Sequence, residues 1–210
     1  MRPILKMEVQ EKISKCALSQ FFKYGIKHIT MDDIARELGM SKKTIYQFFK
    51  EKDDLVKHLC NCELKTQREE LDEISHAAKD PIHELMLISN KMNVIMQHIN
   101  PVFFMDLQKF HPEGFAQYQK FKNERVMHGV MQNIKRGIEM GVYRADIDPV
   151  FVAKYRMAQI DMMMFGNYFT YEKISFHKTH EILMDLFVYG ICTVKGHKLI
   201  NNYKKIKEEE

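Results

Sequence analysis

The sequence predicts an all-α protein, and three observations support this prediction. Apolar residues recur at spacings of three and four along most of the 210-residue chain, as they do on one face of a helix. The hairpin-turn dipeptides Asn-Gly and Asp-Gly are absent, and the chain contains only 5 prolines and 9 glycines. A composition of 45% apolar and 29% charged residues is that of a globular chain with enough apolar material for one or two domains.

We expect about nine helices, whose ends coincide with residues that favour helix termini. Three glycines stand where C-terminal caps are needed, at Gly25, Gly39 and Gly141. Four prolines stand where a first helical turn accepts them, at Pro81, Pro101, Pro112 and Pro149. The predicted helices span residues 5–24, 31–38, 42–48, 51–78, 82–98, 101–109, 113–140, 149–168 and 178–196. The polar tail from residue 201 is expected to fray.

Two short helices near the N-terminus begin with the same capping pattern. Thr30 is an N-cap candidate with Asp33 three residues later, and Ser41 repeats the cap eleven residues further on. Gly39 ends the first of these helices, so that a turn of about three residues joins it to the second, which is the layout of a helix-turn-helix. The core of this motif is predicted to contain Ile13, Ala17, Leu18, Phe21, Ile34, Leu38, Ile45 and either Phe48 or Phe49.

The second short helix begins with charges that its own dipole repels. Lys42 and Lys43 follow the Ser41 cap, whereas the first short helix begins with Asp32 and Asp33, as the dipole favours. Local exceptions of this kind concentrate at functional positions, and the first turn of a recognition helix meets phosphates and base edges in the major groove. The alternative is that the two lysines are surface residues that only aid solubility.

Positive charge is concentrated in the first quarter of the chain. Residues 1–52 contain 11 Lys and Arg against 6 Asp and Glu, a net charge of +5. The remaining 158 residues contain 21 basic and 22 acidic side chains, a net charge of −1. This asymmetry favours a polyanion-binding module joined to a neutral body, although basic faces are often only solvated surface.

Residues 29–56 are ITMDDIARELGMSKKTIYQFFKEKDDLV, and this stretch resembles the DNA-binding signature of the TetR family of transcriptional regulators. The resemblance implies a helix-turn-helix DNA-binding domain at residues 1–52, followed by a helical-bundle domain for effector binding and dimerisation at residues 53–210. It further implies a homodimer that binds double-stranded DNA at a palindromic operator, usually as a repressor, and dissociates when a small-molecule effector binds the second domain.

The resemblance also implies roles for individual side chains. Phosphate contacts are implied for Thr30, Tyr46 and Lys52, and contacts in the groove for Lys42, Lys43, Thr44 and Gln47, beside the Ser41 cap. The alternative for Tyr46 is an amphipathic core residue with its hydroxyl at the surface, and for Gln47 plain solvent exposure. Family members often have a small residue where Lys43 stands and a Tyr or His where Phe48 stands.

Two segments of the second domain, 148–169 and 181–194, are apolar on more than one face. Helices of this kind are buried on several sides. The family resemblance would place a four-helix dimer interface there, two helices from each subunit, with candidate residues Ile160, Met164, Leu183, Phe187, Gly190 and Val194. The alternative is burial in the subunit's own core.

Methionines are concentrated in the second domain, where 12 of the 16 lie between Met86 and Met184. Unbranched thioethers repack around ligands of different shape, so they suit a pocket for apolar effectors, although they more commonly fill irregular gaps in a core. The candidate pocket residues are Met92, Met96, His98, Met105, Met127, His128, Met131, Met157 and Asp161, with Asp106, Arg156 and Asn167 as further polar candidates.

Other classes of function have little support in the sequence. A single Glu-x-x-His motif, Glu73 to His76, is half of what a bundle di-iron site needs, and His177 and His180 lack a third ligand. Because phosphate-binding loops, nucleophile elbows and HExxH motifs are absent, we expect no metal, no cofactor and no enzymatic activity. The alternatives are an activator or effector-independent regulator with the same DNA-binding head and, in a different class, a helical small-molecule or metal-binding protein.

The sequence also predicts a cytoplasmic protein without a membrane partner. The N-terminus lacks the apolar stretch of a signal peptide, and the longest apolar run, residues 186–194, is much shorter than the ~20 residues of a membrane helix. The 4 cysteines, Cys16, Cys60, Cys62 and Cys192, are too scattered for a disulfide framework and are expected to be reduced.

Overall fold

The structure is a computed structural model that describes residues 3–166 and 174–205. In these two ranges the regular secondary structure is helical, apart from an isolated antiparallel bridge between Tyr143 and Cys192. The predicted all-α class is therefore confirmed. No helix in the same ranges is long and apolar enough to cross a membrane. The four cysteines are free thiols.

The helices follow one another in the order predicted, with a few shifted ends. They are α1 (Pro3–Tyr24), α2 (Met31–Glu37), α3 (Lys42–Tyr46), α4 (Lys52–Ala77), α5 (Pro81–Met96), α6 (Val102–Phe110), α7 (Pro112–Phe121), α8 (Met127–Glu139), α9 (Pro149–Phe165), α10 (Phe176–Ile191) and α11 (Val194–Lys204). A π-helical turn, Lys122–Val126, separates α7 from α8 within the segment that was predicted as one helix. The last predicted residues of α9, 167 and 168, lie outside the described residues.

The C-terminal part of the chain differs most from the prediction. The predicted helix 178–196 ends at Ile191, because Cys192 and Thr193 adopt extended backbone angles. Thr193 then caps a further helix, α11, by accepting a hydrogen bond from the Gly196 N–H at 3.2 Å. The predicted fraying from residue 201 was wrong up to Lys204, which ends α11. Although the sequence of this helix is mostly polar, its apolar residue Ile200 is fully buried and anchors it.

The predicted helix ends are explained by their capping residues. Gly25, Gly39 and Gly141 have φ angles of +83°, +61° and +68°, the left-handed conformation that favours glycine at a C-terminal cap. Asp80 and Asp148 cap α5 and α9, each followed by a proline in the first turn.

Two compact units contain the described helices. Unit 1 lies within Met1–Thr66 and His98–Gln119, so it contains α1 to α3, the first part of α4, α6 and most of α7. Its core confirms the predicted set: Ile13, Ala17, Phe21, Ile34, Ile45 and Phe49 are buried, with Leu18, Leu38 and Phe48 partly buried against them. The inclusion of α6 was not predicted, because sequence distance gives no indication that residues near 100 pack beside α1.

Unit 2 lies within Gln67–Gln97 and Lys120–Glu210 and has its own apolar core. Its largest fully buried side chain is Tyr143, whose hydroxyl donates to Asn133 Oδ1 at 3.0 Å. The Tyr143 ring lies against Gly137 so closely that a Cβ there would be 1.9 Å from a ring carbon. Only glycine therefore fits at this position of α8. Asn133 also binds the buried Glu84 carboxylate at 2.7 Å, which joins α5 to α8.

Candidate nucleic-acid interface

The first short helix of the helix-turn-helix begins with a complete capping box. Thr30 N–H donates to Asp33 Oδ2 at 2.9 Å, and Asp33 N–H donates to Thr30 Oγ1 at 3.1 Å. The Thr30 hydroxyl donates to the same carboxylate at 2.6 Å. These bonds stabilise the ionised carboxylate and lower the pKa of Asp33. The helix α2 is thereby fixed at its N-terminus, and Ile34 and Ala35 are buried in the core of unit 1.

The second short helix, α3, is a five-residue segment that depends on one buried anchor. Ser41 caps it by accepting from the Thr44 N–H at 3.1 Å, and Ile45 is fully buried. The other predicted groove and phosphate residues surround this anchor: Lys42, Lys43, Tyr46 and Gln47 are exposed and Thr44 is partly buried. A single apolar contact and a cap thus present a row of polar side chains to solvent.

Lys42 has a partner that offsets its conflict with the dipole of α3. Its ammonium lies 2.8 Å from Asp32 Oδ1, at the start of α2, and this hydrogen-bonded pair raises the pKa of Lys42. The ammonium also lies 5.8 Å from the centre of the Tyr46 ring. Lys43, by contrast, has no ion-pair partner in the part of the chain that the structure describes. The two neighbouring lysines therefore differ: one is held by a carboxylate and the other is available for an anion.

Lys52 binds backbone carbonyl groups, a role that the sequence did not indicate. Its half-buried ammonium donates to the carbonyl oxygen of Ile26 and is 3.5 Å from that of Lys27. Burial lowers the pKa of Lys52. The ammonium therefore holds the turn that leads from α1 to Thr30. A phosphate contact by the same group stays a prediction.

The same turn is also held by Asp106 in α6, a residue that the sequence placed among the pocket candidates. Its buried carboxylate accepts a hydrogen bond from Lys27 N–H at 2.7 Å. A side chain at Gly25 would be 2.9 Å from both Asp106 and Val102. The turn at residues 25–29 is thus enclosed by Lys52 and Asp106, and its position sets where Thr30 begins α2. The glycine at position 25 was the only sequence signal of this close approach.

Comparison with known proteins agrees with this geometry. Residues 13–59 match the family model described as bacterial regulatory proteins, tetR family. The resemblance to the TetR family is confirmed over this segment. A Staphylococcus aureus HTH-type transcriptional regulator, SAB2452, is 33% identical over 86 residues, which are 40% of this chain and 44% of that protein. The chain spans about two fifths of the length of the curated relatives that it matches at this level of identity.

Solved structures of transcriptional regulators share the fold over nearly the whole chain. A TetR-family regulator from Agrobacterium tumefaciens has a TM-score of 0.75 at 15% identity, covering 90% of this chain and 100% of that one. A putative regulator from Saccharomonospora viridis, solved in complex with choline, has a TM-score of 0.72 at 19% identity, covering 89% and 99%. At this identity the likeness concerns the fold alone.

The predicted effector-pocket residues are dispersed over the two units. His98 and Met105 belong to unit 1 and are exposed. Within unit 2, Met96 and Met157 are buried, Met92, Met127, Met131 and Asp161 are partly buried, and His128 is exposed. Asp161 is ion-paired with the buried Lys122 at 2.5 Å. Asn167 lies outside the described residues.

A cavity of about 460 Å³ lies elsewhere in unit 2, between α5, α10 and α11. Its lining includes Met86, Asn93, Met184, Tyr189 and Tyr203, and none of the predicted pocket residues. Because three of its lining residues come from α11, a helix that the sequence analysis missed, the cavity could not be predicted from apolar periodicity. The predicted pocket stays a prediction beside this observed cavity.

The predicted dimer residues divide into two groups. Met164, Leu183 and Phe187 are buried within the subunit and Ile160 is partly buried, whereas Gly190 and Val194 are exposed. The large apolar side chains that α9 and α10 expose include Phe151 (71% exposed), Tyr155 (51%), Ile182 (40%) and Leu186 (66%). We call these four residues the exposed apolar face. Both helices are apolar around most of their circumference, so the sequence did not show which side faces outward.

The turn between α1 and α2 gives the first testable prediction. Replacing Asp106 with Ala should lower the free energy of unfolding by about 1–3 kcal/mol, because the Lys27 N–H loses the buried carboxylate that accepts from it. Asp106→Asn, whose amide oxygen still accepts from Lys27 N–H, should lose less. Denaturant unfolding measures both values, and amide hydrogen exchange at Lys27 should quicken in Asp106→Ala. Equal losses for Ala and Asn would contradict the assigned hydrogen bond.

Proposed function

We propose that this protein is a sequence-specific DNA-binding transcriptional regulator of the cytoplasm. It acts as a homodimeric repressor, and a small-molecule effector releases it from a palindromic operator. The observation that supports this function most directly is the geometry of α3, where Ile45 is fully buried while Lys42, Lys43, Tyr46 and Gln47 are exposed together. This segment lies within the part of the chain that matches the TetR family.

The exposed side chains of α3 suit the chemistry of a major groove. Lysine ammonium groups neutralise phosphates or donate to guanine O6 and N7, and a glutamine amide pairs with adenine in bidentate fashion. The Tyr46 phenol can donate to a phosphate, while its ring packs near Lys42. Thr30 and Lys52, at the start of α2 and of α4, complete the proposed DNA contacts, with the Ser41 cap fixing the start of α3.

A homodimer is proposed because the exposed apolar face needs a cover. Phe151 and Tyr155 stand one turn apart on α9, and Ile182 and Leu186 one turn apart on α10, so each pair lies on one side of its helix. An apolar surface of this kind on a helical protein marks an interaction site. A two-fold dimer would place its recognition helices roughly 34–36 Å apart, one turn of DNA.

The proposed release by an effector is based on the cavity in unit 2. The cavity of about 460 Å³ in unit 2 is within the range of small-molecule sites, and its lining mixes thioethers with amides and hydroxyls. The Saccharomonospora viridis neighbour in complex with choline indicates that this fold accommodates small ligands. An activator, or a regulator without an effector, is the alternative, and transcription assays with candidate ligands separate it from a repressor.

The function is tested first by DNA binding. Fluorescence anisotropy with the DNA upstream of the protein's own gene should give tighter binding than a scrambled duplex. The logarithm of affinity should fall steeply with the logarithm of salt concentration, because lysine contacts displace counterions. Absence of binding to either duplex even at low salt would contradict the DNA-binding function.

The ion pair between Lys42 and Asp32 gives a sharper variant of this test. Asp32→Asn should raise DNA affinity several-fold, because it frees Lys42 and removes a negative charge beside the phosphates. The slope of log affinity against log salt concentration should become steeper by up to about one unit. Asp54→Asn is the matched control, because Asp54 is an exposed carboxylate in the first turn of α4. An equal gain in both variants would show that only net charge, and not α3, determines the effect.

The dimer is tested at the exposed apolar face. Leu186→Glu should convert a particle of twice the chain mass into a monomer in light scattering, because a buried unpaired carboxylate opposes association. Val94→Glu is the matched control, since Val94 is a similarly exposed residue (60%) on α5 of the same unit. Dimers that survive Leu186→Glu would place the subunit interface on another surface.

A further inference from the structure

Arg156 is a buried cation at the centre of unit 2. It lies in the middle of α9 and only 7% of its surface is exposed. Its guanidinium lies 5.3 Å from the centre of the Phe187 ring in α10, and Nη1 donates to Gln159 Oε1 at 3.3 Å. No carboxylate of the described residues lies within ion-pair distance of it.

Three other cations of unit 2 have a carboxylate partner, which Arg156 lacks. Lys122 is as deeply buried and binds Asp161 at 2.5 Å. Arg125 binds Asp72 at 2.5 Å, and Arg136 binds the carboxylate of Glu84. Burial lowers the pKa of Arg156 to about 10, so the guanidinium remains charged at neutral pH. Its charge is therefore enclosed without a compensating anion.

The groups around Arg156 are polar and uncharged. His180 is buried, and its Nδ1 donates to Asn93 Oδ1 at 2.7 Å. Burial, together with the positive charge of Arg156, lowers the pKa of His180 to about 4, so this imidazole is neutral at physiological pH. Glu181 follows His180 in sequence, and its carboxylate forms an ion pair with the Lys178 ammonium at 2.8 Å. Neither neighbour neutralises the guanidinium.

An enclosed charge without a partner is costly, and a methionine or leucine of similar volume would stabilise the same space better. A guanidinium has five N–H donors, of which one is used by Gln159. The fully enclosed polar atoms without a partner are, among the described side chains, Ser14 Oγ and Gln117 Oε1, and no nitrogen of Arg156 is among them. Its nitrogens therefore retain some accessible surface, and the described residues offer no hydrogen-bond partner to its other N–H groups.

We propose that Arg156 anchors the acid group of an anionic ligand, a carboxylate or a phosphate ester, with Gln159 as a neighbouring polar contact. This inference rests on the proposed effector-responsive function only for its regulatory consequence. A planar guanidinium binds either acid through two parallel hydrogen bonds, and in an interior site such bonds are strong. Binding would supply the missing negative charge.

The surroundings indicate that the rest of the ligand is apolar. Phe187 lies against the guanidinium, and Met157 and Met184 are further buried apolar residues of α9 and α10. Asn93, which binds His180, also lines the cavity of about 460 Å³, as does Met184. Asn93 therefore connects His180 to the wall of this cavity, which neither Arg156 nor Gln159 lines. A medium-chain fatty acid has the required combination of acid group and apolar body.

Thermal unfolding of the full-length protein tests the proposal with three probes. Octanoate supplies a carboxylate on an apolar chain, octanamide is its neutral counterpart, and inorganic phosphate is an anion without an apolar body. Octanoate should raise the unfolding midpoint by about 5 °C or more at a 100-fold excess over its Kd, and octanamide should not. A shift with phosphate alone would identify a phosphate-type ligand.

Variants assign the effect to Arg156. Arg156→Met should abolish the octanoate shift and raise the unfolding midpoint of the ligand-free protein, because an unpaired charge is removed. Arg156→Lys, which keeps the charge but loses the planar fork, should reduce the shift, and this variant decides the matter if Arg156→Met does not fold. Arg125→Met, which removes an arginine that already has Asp72 as partner, should keep the shift.

Two results would overturn the proposal. One is a wild-type midpoint that neither octanoate nor phosphate raises more than octanamide does. The other is an octanoate shift that is unchanged in Arg156→Lys and Arg156→Met. DNA anisotropy in the presence of octanoate separates this site from the regulatory function: an Arg156-dependent thermal shift without any change in DNA binding would leave the anion site in place and reject effector release.

Discussion

The turn between α1 and α2 is the constraint on which unit 1 depends. Gly25 ends α1 in a left-handed conformation, and the following backbone is held by the Lys52 ammonium and the Asp106 carboxylate. The turn delivers Thr30 to its capping box, and α2 then fixes the position of α3. Because α3 is too short to be stable alone, the surface formed by its lysines is determined by contacts outside the helix-turn-helix itself.

The lysines of α3 in unit 1 and Arg156 in unit 2 differ in their exposure to solvent. In unit 1, Lys42 and Lys43 are exposed, and the pair with Asp32 exchanges easily with solvent or another anion. In unit 2, Arg156 is buried among neutral groups, and its guanidinium has no carboxylate partner among the described residues. Exposed cations suit rapid, salt-dependent contact with a polyanion, whereas an enclosed guanidinium suits recognition of one acid group in a defined place.

Local signals predicted much of the fold and of the DNA-binding segment. Thr30, Ser41 and Gly39 act within a few residues of the sequence, so the caps, the turn and the buried Ile45 could be predicted from it. Features that depend on distant contacts could not be predicted. The role of Asp106 depends on its contact with the Lys27 N–H, which is distant in sequence. Leu186 is exposed and Phe187 is buried because they lie on different sides of α10, and the packing of the subunit determines which side is covered. The helix α11 was missed because one buried residue, Ile200, outweighs its polar composition.

The helix α11 determines how substitutions can change the cavity of unit 2. Ile200, Tyr203 and Lys204 supply one wall of this cavity, and Thr193 attaches that wall through a hydrogen bond to the Gly141 carbonyl oxygen at 2.8 Å. Substitutions on this wall alter the shape and polarity of the cavity while the core of unit 1 keeps its own residues. Substitutions in α11 would therefore alter the proposed ligand preference without changing the proposed DNA contacts of unit 1.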